Sequence, residues 1–224
     1  MRLGVLVSGR GSNLDAVLAA VAAGRLPGVD PALVVSNRSG VPALSVAAAH
    51  GVPSLVLRRA DHASAEERDT AIGHALTASG ADLALLAGYD QLLHRSYFDA
   101  FAGRTVNIHP SLLPRHGGRG MMGLAVHAAV LAAGDPESGV TIHEVTPELD
   151  AGPILRQARL AVRPGEAAAS LAARVLELEH RELVGLLAEL AAAEGPAGAS
   201  ASMTAASGRR TRPDASQLRS PFDA

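Results

Sequence analysis

Near its start the sequence reads Leu3-Gly4-Val5-Leu6-Val7-Ser8-Gly9-Arg10-Gly11-Ser12-Asn13-Leu14, and this run decides the class of fold. Residues 3–7 are apolar, as in a buried strand, whereas residues 14–23 are dominated by Ala and Leu at helical spacing. Two glycines lie between these predicted elements. A strand, a glycine-rich turn and a helix in this order indicate the first half of a βαβ unit.

The same alternation continues through the first half of the chain. Further strands are predicted at residues 32–36, 54–57, 83–87 and 105–108, and further helices at residues 41–49 and 65–79. Strands that alternate with helices predict an α/β fold, an open, doubly wound and mostly parallel sheet. Its ligand crevice should lie at the carboxyl ends of the strands, where residues 10–13, 88–93 and 107–109 would meet.

The second half of the chain has a different pattern. Residues 141–145 and 154–162 alternate polar with apolar positions, which predicts antiparallel additions to the sheet, and residues 124–133 and 167–190 predict helices. From residue 191 onward Ala, Gly, Ser, Arg and Pro predominate. We therefore expect one domain over residues 1–190, with halves at 1–100 and 101–190, and a weakly ordered tail over residues 191–224.

Composition narrows the class of protein. The chain has 224 residues, 48% of them hydrophobic, but only two tyrosines and three phenylalanines, so Ala, Val and Leu must build the core. The formal net charge is −2, so the composition does not indicate the basic surface that binds nucleic acid. The absence of cysteine excludes disulfides and thiolate sites. No apolar stretch reaches the ~20 residues that span a bilayer. We expect a cytoplasmic protein with neither a nucleic-acid nor a membrane partner; the oligomeric state stays open.

Three polar residues suggest a chemistry. Asn107 and His109 end a predicted strand two residues apart, so both side chains should face the same side. The amide can donate to a developing oxyanion, and the imidazole can move a proton. Asp150 can hold that imidazole in one tautomer. Taken singly, such residues are usually structural, but together they predict acyl transfer to an amine. Three other histidines, His127, His143 and His180, are expected to be structural.

The loop of residues 8–13 has two interpretations. Free N–H groups at a helix N-terminus bind phosphate, and glycines let a ligand approach the backbone closely. The alternative is a tight turn in which Ser12 or Asn13 caps the helix. A dinucleotide site is disfavoured because Leu14 stands where its third glycine would be, and no lysine completes a P-loop.

Several segments in one order resemble a known enzyme family. They are Gly11-Ser12-Asn13-Leu14, Leu86-Ala87-Gly88-Tyr89, Asn107-Ile108-His109-Pro110-Ser111-Leu112-Leu113-Pro114, Leu149-Asp150-Ala151-Gly152-Pro153-Ile154, and Ala173-Arg174-Val175 with Glu179-His180. This order is similar to that of the phosphoribosylglycinamide formyltransferases, or glycinamide ribonucleotide transformylases. The resemblance implies a formyltransferase domain over residues 1–190. It also implies transfer of the formyl group of 10-formyltetrahydrofolate, as co-substrate, to the amine of glycinamide ribonucleotide in de novo purine (IMP) biosynthesis.

The resemblance also implies residue roles. Asn107 would donate to the formyl oxygen of the folate, His109 would be the catalytic acid/base, and Asp150 would be its carboxylate partner. The phosphate of the ribonucleotide would lie at Gly11, Ser12 and Asn13, and its ribose at Leu176, Glu177, Leu178 and Glu179. The pteridine would meet the backbone of Asp90, Gln91, Leu92 and Leu93. No metal is implied.

The chain departs from the commonest form of this family at two places. Residues 115–124, which read Arg115-His116-Gly117-Gly118-Arg119-Gly120-Met121-Met122-Gly123-Leu124, form a longer loop that resembles a glycine-rich bacterial version. In the commonest form an arginine before the third helix contacts folate, but Ala65 stands at that place here. Arg68, or Arg58 and Arg59, are the candidate substitutes.

Other functions remain as alternatives. A formyltetrahydrofolate hydrolase would use the same groups to release formate, but that relative carries an extra N-terminal regulatory domain, whereas this sequence starts at its first strand. The relative that formylates initiator tRNA carries an extra C-terminal domain for nucleic acid. A non-catalytic nucleotide-binding module would need only the glycine loop, and the Asn107/His109 pair argues against it.

Overall fold

The structure is a computed structural model that describes residues 1–193. In this part of the chain seven strands form one sheet, and six α-helices and a 3-10 turn at Arg59–Asp61 connect them. The strands are β1 (Arg2–Val7), β2 (Asp30–Ser36), β3 (Ser54–Val56), β4 (Leu83–Leu86), β5 (Arg104–His109), β6 (Glu137–Glu144) and β7 (Ile154–Ala161). The helices are α1 (Ser12–Ala22), α2 (Pro42–Ala49), α3 (Ala65–Ala78), α4 (Arg95–Ala100), α5 (Leu124–Ala132) and α6 (Ala168–Ala193).

The strand order of the sheet is β3-β2-β1-β4-β5-β6-β7. Strands β1 to β5 are parallel, whereas β6 is antiparallel to both of its neighbours, β5 and β7. The predicted doubly wound sheet with antiparallel additions is therefore confirmed. The strand order reverses between β1 and β4, and a sheet of this kind opens its ligand crevice at such a point.

Both faces of the central strands are buried, which explains their nearly continuous apolar sequences. On β1, Val5 faces a core shared with α1, α2 and α6, while Leu6 faces a second core with α3 and α4. Alternate residues of one strand thus serve two layers of helices. This three-layer packing fixes the carboxyl ends of β1, β4 and β5 side by side.

Some element bounds differ from the sequence prediction. Helix α4 was not predicted, and β6 begins at Glu137, before the predicted residue 141. Helix α6 continues to Ala193, and Ala191 is still buried against the core, so the predicted domain end at residue 190 falls inside a helix. The rest of the predicted tail lies outside the described residues. Among residues 1–193, no helix has both the length and the apolar character required to cross a membrane.

Candidate active site

The site is built where the last parallel strand meets the first antiparallel one. Asn107 and His109 lie at the carboxyl end of β5 on the same face of the strand, as the spacing predicts. The antiparallel register of β6 places His143 opposite Asn107, and Thr141 opposite His109. A second imidazole therefore faces the predicted pair from the neighbouring strand.

The ring of His109 is buried and oriented by a backbone carbonyl. Its Nε2 lies 2.9 Å from the carbonyl oxygen of His116. A carbonyl oxygen only accepts, so Nε2 carries the hydrogen and, in the neutral ring, Nδ1 is the basic nitrogen. Residue His116 is itself held in place, because Nε2 of its ring lies 2.7 Å from Oδ2 of Asp135. Its backbone has a left-handed conformation, with φ 54°.

The amide of Asn107 is fixed by His143. Nδ1 of His143 donates to the carbonyl oxygen of Glu144 at 2.8 Å, so Nε2 of the neutral ring is an acceptor. Nδ2 of Asn107 lies 3.1 Å from that Nε2 and donates to it. Burial lowers the pKa of His143, which favours this neutral form. Within residues 1–193 the second hydrogen on Nδ2 of Asn107 makes no hydrogen bond, so it can bind a ligand.

The carboxylate of Asp150 has partners that the sequence did not predict. Asp150 has φ 53°, and its Oδ2 accepts the backbone N–H of Gly118 at 2.7 Å, while its Oδ1 lies 3.7 Å from Nε2 of His143. The expected contact with His109 is not among the hydrogen bonds and ion pairs of residues 1–193. The glycine-rich loop supplies one of the partners that the carboxylate has instead, the N–H of Gly118.

The glycine loop leaves the N-terminus of α1 open. The N-cap residue is Gly11, at φ 79°, and it makes no side-chain capping hydrogen bond in the described structure. A β-carbon on Gly11 would lie 2.8 Å from atoms of Ala43 on α2, so only glycine fits there. The alternative of a side-chain cap is not what the structure shows. The first N–H groups of α1 have no partner within the helix, and the helix begins beyond the carboxyl end of β1, where such groups can bind phosphate.

Glu179 is brought to this loop from α6. It is 7% exposed, and the side chain of Asn13 acts on its carboxyl group. Burial raises the pKa of Glu179 to about 7. Its predicted companions do not share this position, because Leu178 packs into the core and Glu177 lines a separate groove with arginines between α6 and β7. Of these side chains, only that of Glu179 is described in contact with the glycine loop.

The predicted folate loop follows β4 and adjoins the glycine loop. The N–H of Asp90 donates to Oγ of Ser8 at 3.0 Å, and the Asp90 carboxylate accepts from Asn37 at 2.8 Å. Within this loop Leu93 is buried in the core, whereas Leu92 is exposed. Leu93 thus anchors the loop in the core, while the side chain of Leu92 is accessible to solvent.

The three candidate substitutes for the missing arginine all have partners elsewhere in the described structure, so none presents an unpaired guanidinium to the crevice. Arg68 is 1% exposed and its guanidinium is paired with Asp69. Arg58 is paired with Asp61 at the surface, and Arg59 donates to backbone carbonyls of its own turn. The expectation that one of them replaces the arginine directly is not supported by their contacts.

Sequence reasoning missed the second histidine and the backbone groups of the loop. His143 was expected to be structural, yet it contacts both Asn107 and Asp150. The available signal was the alternation Val140-Thr141-Ile142-His143, which places two polar residues on one face of β6. Nothing local indicated that Gly118 would bind Asp150, since 32 residues separate them. In residues 1–193, no group of three His, Asp or Glu side chains is placed to hold a metal ion.

Comparison with known proteins shows the family to which the chain belongs. A family model described as formyl transferase matches residues 1–187. The chain belongs to the formyl transferase family. It is 36% identical over 180 residues to a phosphoribosylglycinamide formyltransferase of Haemophilus influenzae, a match that covers 80% of this chain and 82% of that protein.

Other formyl transferase relatives differ in length or are known as structures. The chain is 40% identical over 181 residues to the trifunctional purine biosynthetic protein adenosine-3 of Drosophila melanogaster, but it spans only 13% of that longer protein. A crystal structure of glycinamide ribonucleotide transformylase 1 from Symbiobacterium toebii superimposes with a TM-score of 0.80 at 36% identity, covering 87% of this chain and 89% of that one. The resemblance proposed from the motifs is thus confirmed at the level of the whole fold.

Proposed function

We propose that this protein transfers the formyl group of 10-formyltetrahydrofolate to the amino group of glycinamide ribonucleotide, a step of de novo purine biosynthesis. One observation carries the proposal: Asn107 and His109 share one face at the rim of β5, and the glycine loop and residues 90–93 border the same crevice. The names of the relatives support this choice of substrates.

The geometry supports two substrate sites. The phosphate of the ribonucleotide binds the N-terminus of α1 at Gly11, Ser12 and Asn13, where no side chain caps the helix and the first N–H groups have no partner within it. Its ribose hydroxyls lie at Glu179, which reaches Asn13 from α6. The folate ring binds along the backbone of residues 90–93. The amine and the formyl carbon then meet beside Asn107 and His109.

The chemistry is an acyl transfer. The amine nitrogen attacks the formyl carbon, a new C–N bond forms, and the carbonyl oxygen becomes an oxyanion. The free hydrogen on Nδ2 of Asn107 donates to that oxyanion, a kind of contact worth roughly 10²–10³ in rate. Collapse of the intermediate breaks the bond between the formyl carbon and the folate nitrogen.

Proton movement balances the reaction. The attacking amine loses one proton and the leaving folate nitrogen gains one. His109 relays it through Nδ1, because its Nε2 is engaged by the carbonyl of His116. Such acid–base assistance contributes roughly 10²–10⁴-fold. The carboxylate of Asp150 lies on the side of His143 and stabilises positive charge that develops on the neighbouring imidazoles.

The test is an incubation with both substrates. Deformylated folate is followed by absorbance, and formylated ribonucleotide and formate are measured by mass spectrometry. We expect equal amounts of deformylated folate and formylated ribonucleotide, and no folate turnover when the ribonucleotide is omitted. Formate without formylated ribonucleotide would instead favour the hydrolase.

Variants test the residue roles. His109→Ala and Asp150→Asn should each lower turnover strongly, while His74→Ala, an exposed histidine on α3, serves as the matched control. Near-normal turnover of His109→Ala would remove its proposed role.

A further inference from the structure

A buried ion pair lies under the loop of residues 90–93. Arg68 and Asp69, both on α3, are 1% and 0% exposed. The guanidinium donates from Nε and Nη2 to Oδ1 of Asp69 at 2.9 Å and 2.5 Å. Helix α3 packs closely on α4, which follows this loop. The pair therefore lies on α3 and faces the start of α4.

The guanidinium has a second set of contacts, and these are with the loop. Nη1 of Arg68 donates to the side-chain oxygen of Gln91, and Nη2 donates to the backbone carbonyl of Leu92, both at 3.3 Å. Oδ2 of Asp69 accepts the backbone N–H of His94 at 2.8 Å. The same oxygen lies 2.7 Å from Nδ1 of the His94 ring. One buried pair thus binds three of the four residues from 91 to 94, namely Gln91, Leu92 and His94.

Gln91 connects this pair to the other side of the crevice. Its side-chain nitrogen donates to Oδ1 of Asp90 at 3.1 Å, and Asp90 is bound in turn by Ser8, at the start of the glycine loop, and by Asn37. The loop of residues 90–93 is therefore held from α3 on one side and from the end of β1 on the other.

Stability alone does not explain such a pair. Taking two charges out of water is costly, and a buried ion pair is often no more stable than apolar residues of similar size. A guanidinium does, however, present several donors in a fixed plane, which defines where its acceptors must lie. Its loop acceptors here lie in the segment that would meet the pteridine.

We propose that Arg68 is a positioning residue that sets the backbone of residues 90–93 for recognition of the folate ring. The proposal rests on the proposed function and adds a residue that does not touch the substrate. The charge of Arg68 acts through its hydrogen bonds to the loop and not on the ligand.

Three variants test this role. Arg68→Lys keeps a positive charge near Asp69 but lacks the planar guanidinium, whose several N–H donors contact both Asp69 and the loop. The double variant Arg68→Met with Asp69→Asn removes both charges, so that no unpaired carboxylate stays buried. Arg95→Met is the control, because Arg95 forms a pair with Asp99 on the neighbouring α4 that is exposed and makes no described contact with the loop.

The measurements separate positioning from general stability. KM is determined for 10-formyltetrahydrofolate and for glycinamide ribonucleotide, and amide hydrogen exchange is measured over residues 88–94 without ligand. A misplacement of a binding group by about 1 Å can cost as much as 10²-fold, so we expect both Arg68 variants to raise the folate KM at least roughly tenfold. The ribonucleotide KM should change by less than about twofold, and exchange in the loop should become faster.

The contrary outcomes are distinct. The proposal would be overturned if the Arg68 variants fold and show the same folate KM and the same loop exchange as the control Arg95→Met. An equal rise of the KM values for both substrates would also overturn it. If the double variant does not fold, Gln91→Ala decides, since it leaves the ion pair intact, and unchanged loop exchange there would also overturn it. A wild-type protein that forms no formylated ribonucleotide defeats the proposed function, whereas an active wild type with unaffected Arg68 variants defeats only the positioning role.

Discussion

Asn107 donates from Nδ2 to Nε2 of His143 across the β5–β6 pair, at 3.1 Å. This contact decides which end of the amide faces the crevice. An amide that presented its oxygen to the crevice could not donate to an oxyanion. The neutral ring of His143 is therefore part of what makes Asn107 a donor.

We first predict that His143→Phe lowers kcat by roughly ten- to a hundredfold while KM for both substrates changes little. The reason is that the variant leaves Asn107 present but free to rotate, so the loss should be smaller than the roughly 10²–10³ expected for a missing oxyanion donor. Steady-state kinetics of the purified variant provide the measurement. His74→Phe, at an exposed position, should behave as wild type, and a kcat of His143→Phe equal to that control would contradict the prediction.

The pH dependence of kcat gives a second prediction. Burial lowers the pKa of His143, so the ring protonates only on the acid side of its ordinary value of about 6.5. Once protonated, Nε2 can no longer accept from Asn107, and the amide must turn its oxygen towards the ring. We expect an acid limb in the kcat profile of the wild type that is lost in His143→Phe. An unchanged acid limb in the variant would assign it to another group.

Much of the fold was predictable because its signals are local. Strands such as β1 and β4 are short apolar runs, the glycines that follow are visible turns, and strand–helix alternation dictates a parallel sheet. The rule that ligands lie at the carboxyl ends of such strands then placed Asn107 and His109 at the rim without any coordinates.

The features that were not predicted depend on partners distant in sequence. The segment Glu137-Ser138-Gly139 has little strand propensity, yet it pairs with β7 so closely that a β-carbon on Gly139 would lie 2.0 Å from the carbonyl oxygen of Ala158. The six residues of α4 are too few to show a clear period. The register that brings His143 to Asn107, and the N–H of Gly118 that binds Asp150, cannot be read from spacing.

A third prediction concerns stability and the buried carboxyl of Glu179. Because its folded-state pKa is about 7, above the unfolded value, the protonated form is favoured by folding and its contribution is lost as pH rises through 7. The free energy of unfolding of the wild type should therefore fall by roughly 2–3 kcal/mol between about pH 5 and about pH 8 from this group. Glu179→Gln should remove that fall, as measured by urea denaturation at the two pH values.

The control for this measurement lies on the same helix. Glu189 is exposed and pairs with Arg156, so Glu189→Gln should keep the decline of the wild type. Glu179→Gln should also raise KM for glycinamide ribonucleotide, because a carboxylate binds ribose hydroxyls more strongly than an amide. A decline with pH in Glu179→Gln as steep as in the wild type would show that another group causes it.

The final prediction separates two reasons for a glycine at position 11. Gly11 and Gly24 both have positive φ, at 79° and 69°, but a β-carbon at Gly24 would have nothing within 4 Å, whereas one at Gly11 would lie 2.8 Å from Ala43. Gly24→Ala should cost about 1 kcal/mol of unfolding free energy from the backbone alone. Gly11→Ala should cost a further 1–3 kcal/mol, roughly, because α1 and α2 must move apart.

The same movement should affect the phosphate site. If α1 shifts, its first N–H groups leave the positions from which they bind the ribonucleotide phosphate, so KM for the ribonucleotide should rise in Gly11→Ala and stay near the wild-type value in Gly24→Ala. Urea denaturation and steady-state kinetics of the two variants, side by side, supply both measurements. Equal losses of stability in the two variants would mean that close packing on Ala43 is not what requires glycine there, and that the left-handed backbone alone is sufficient.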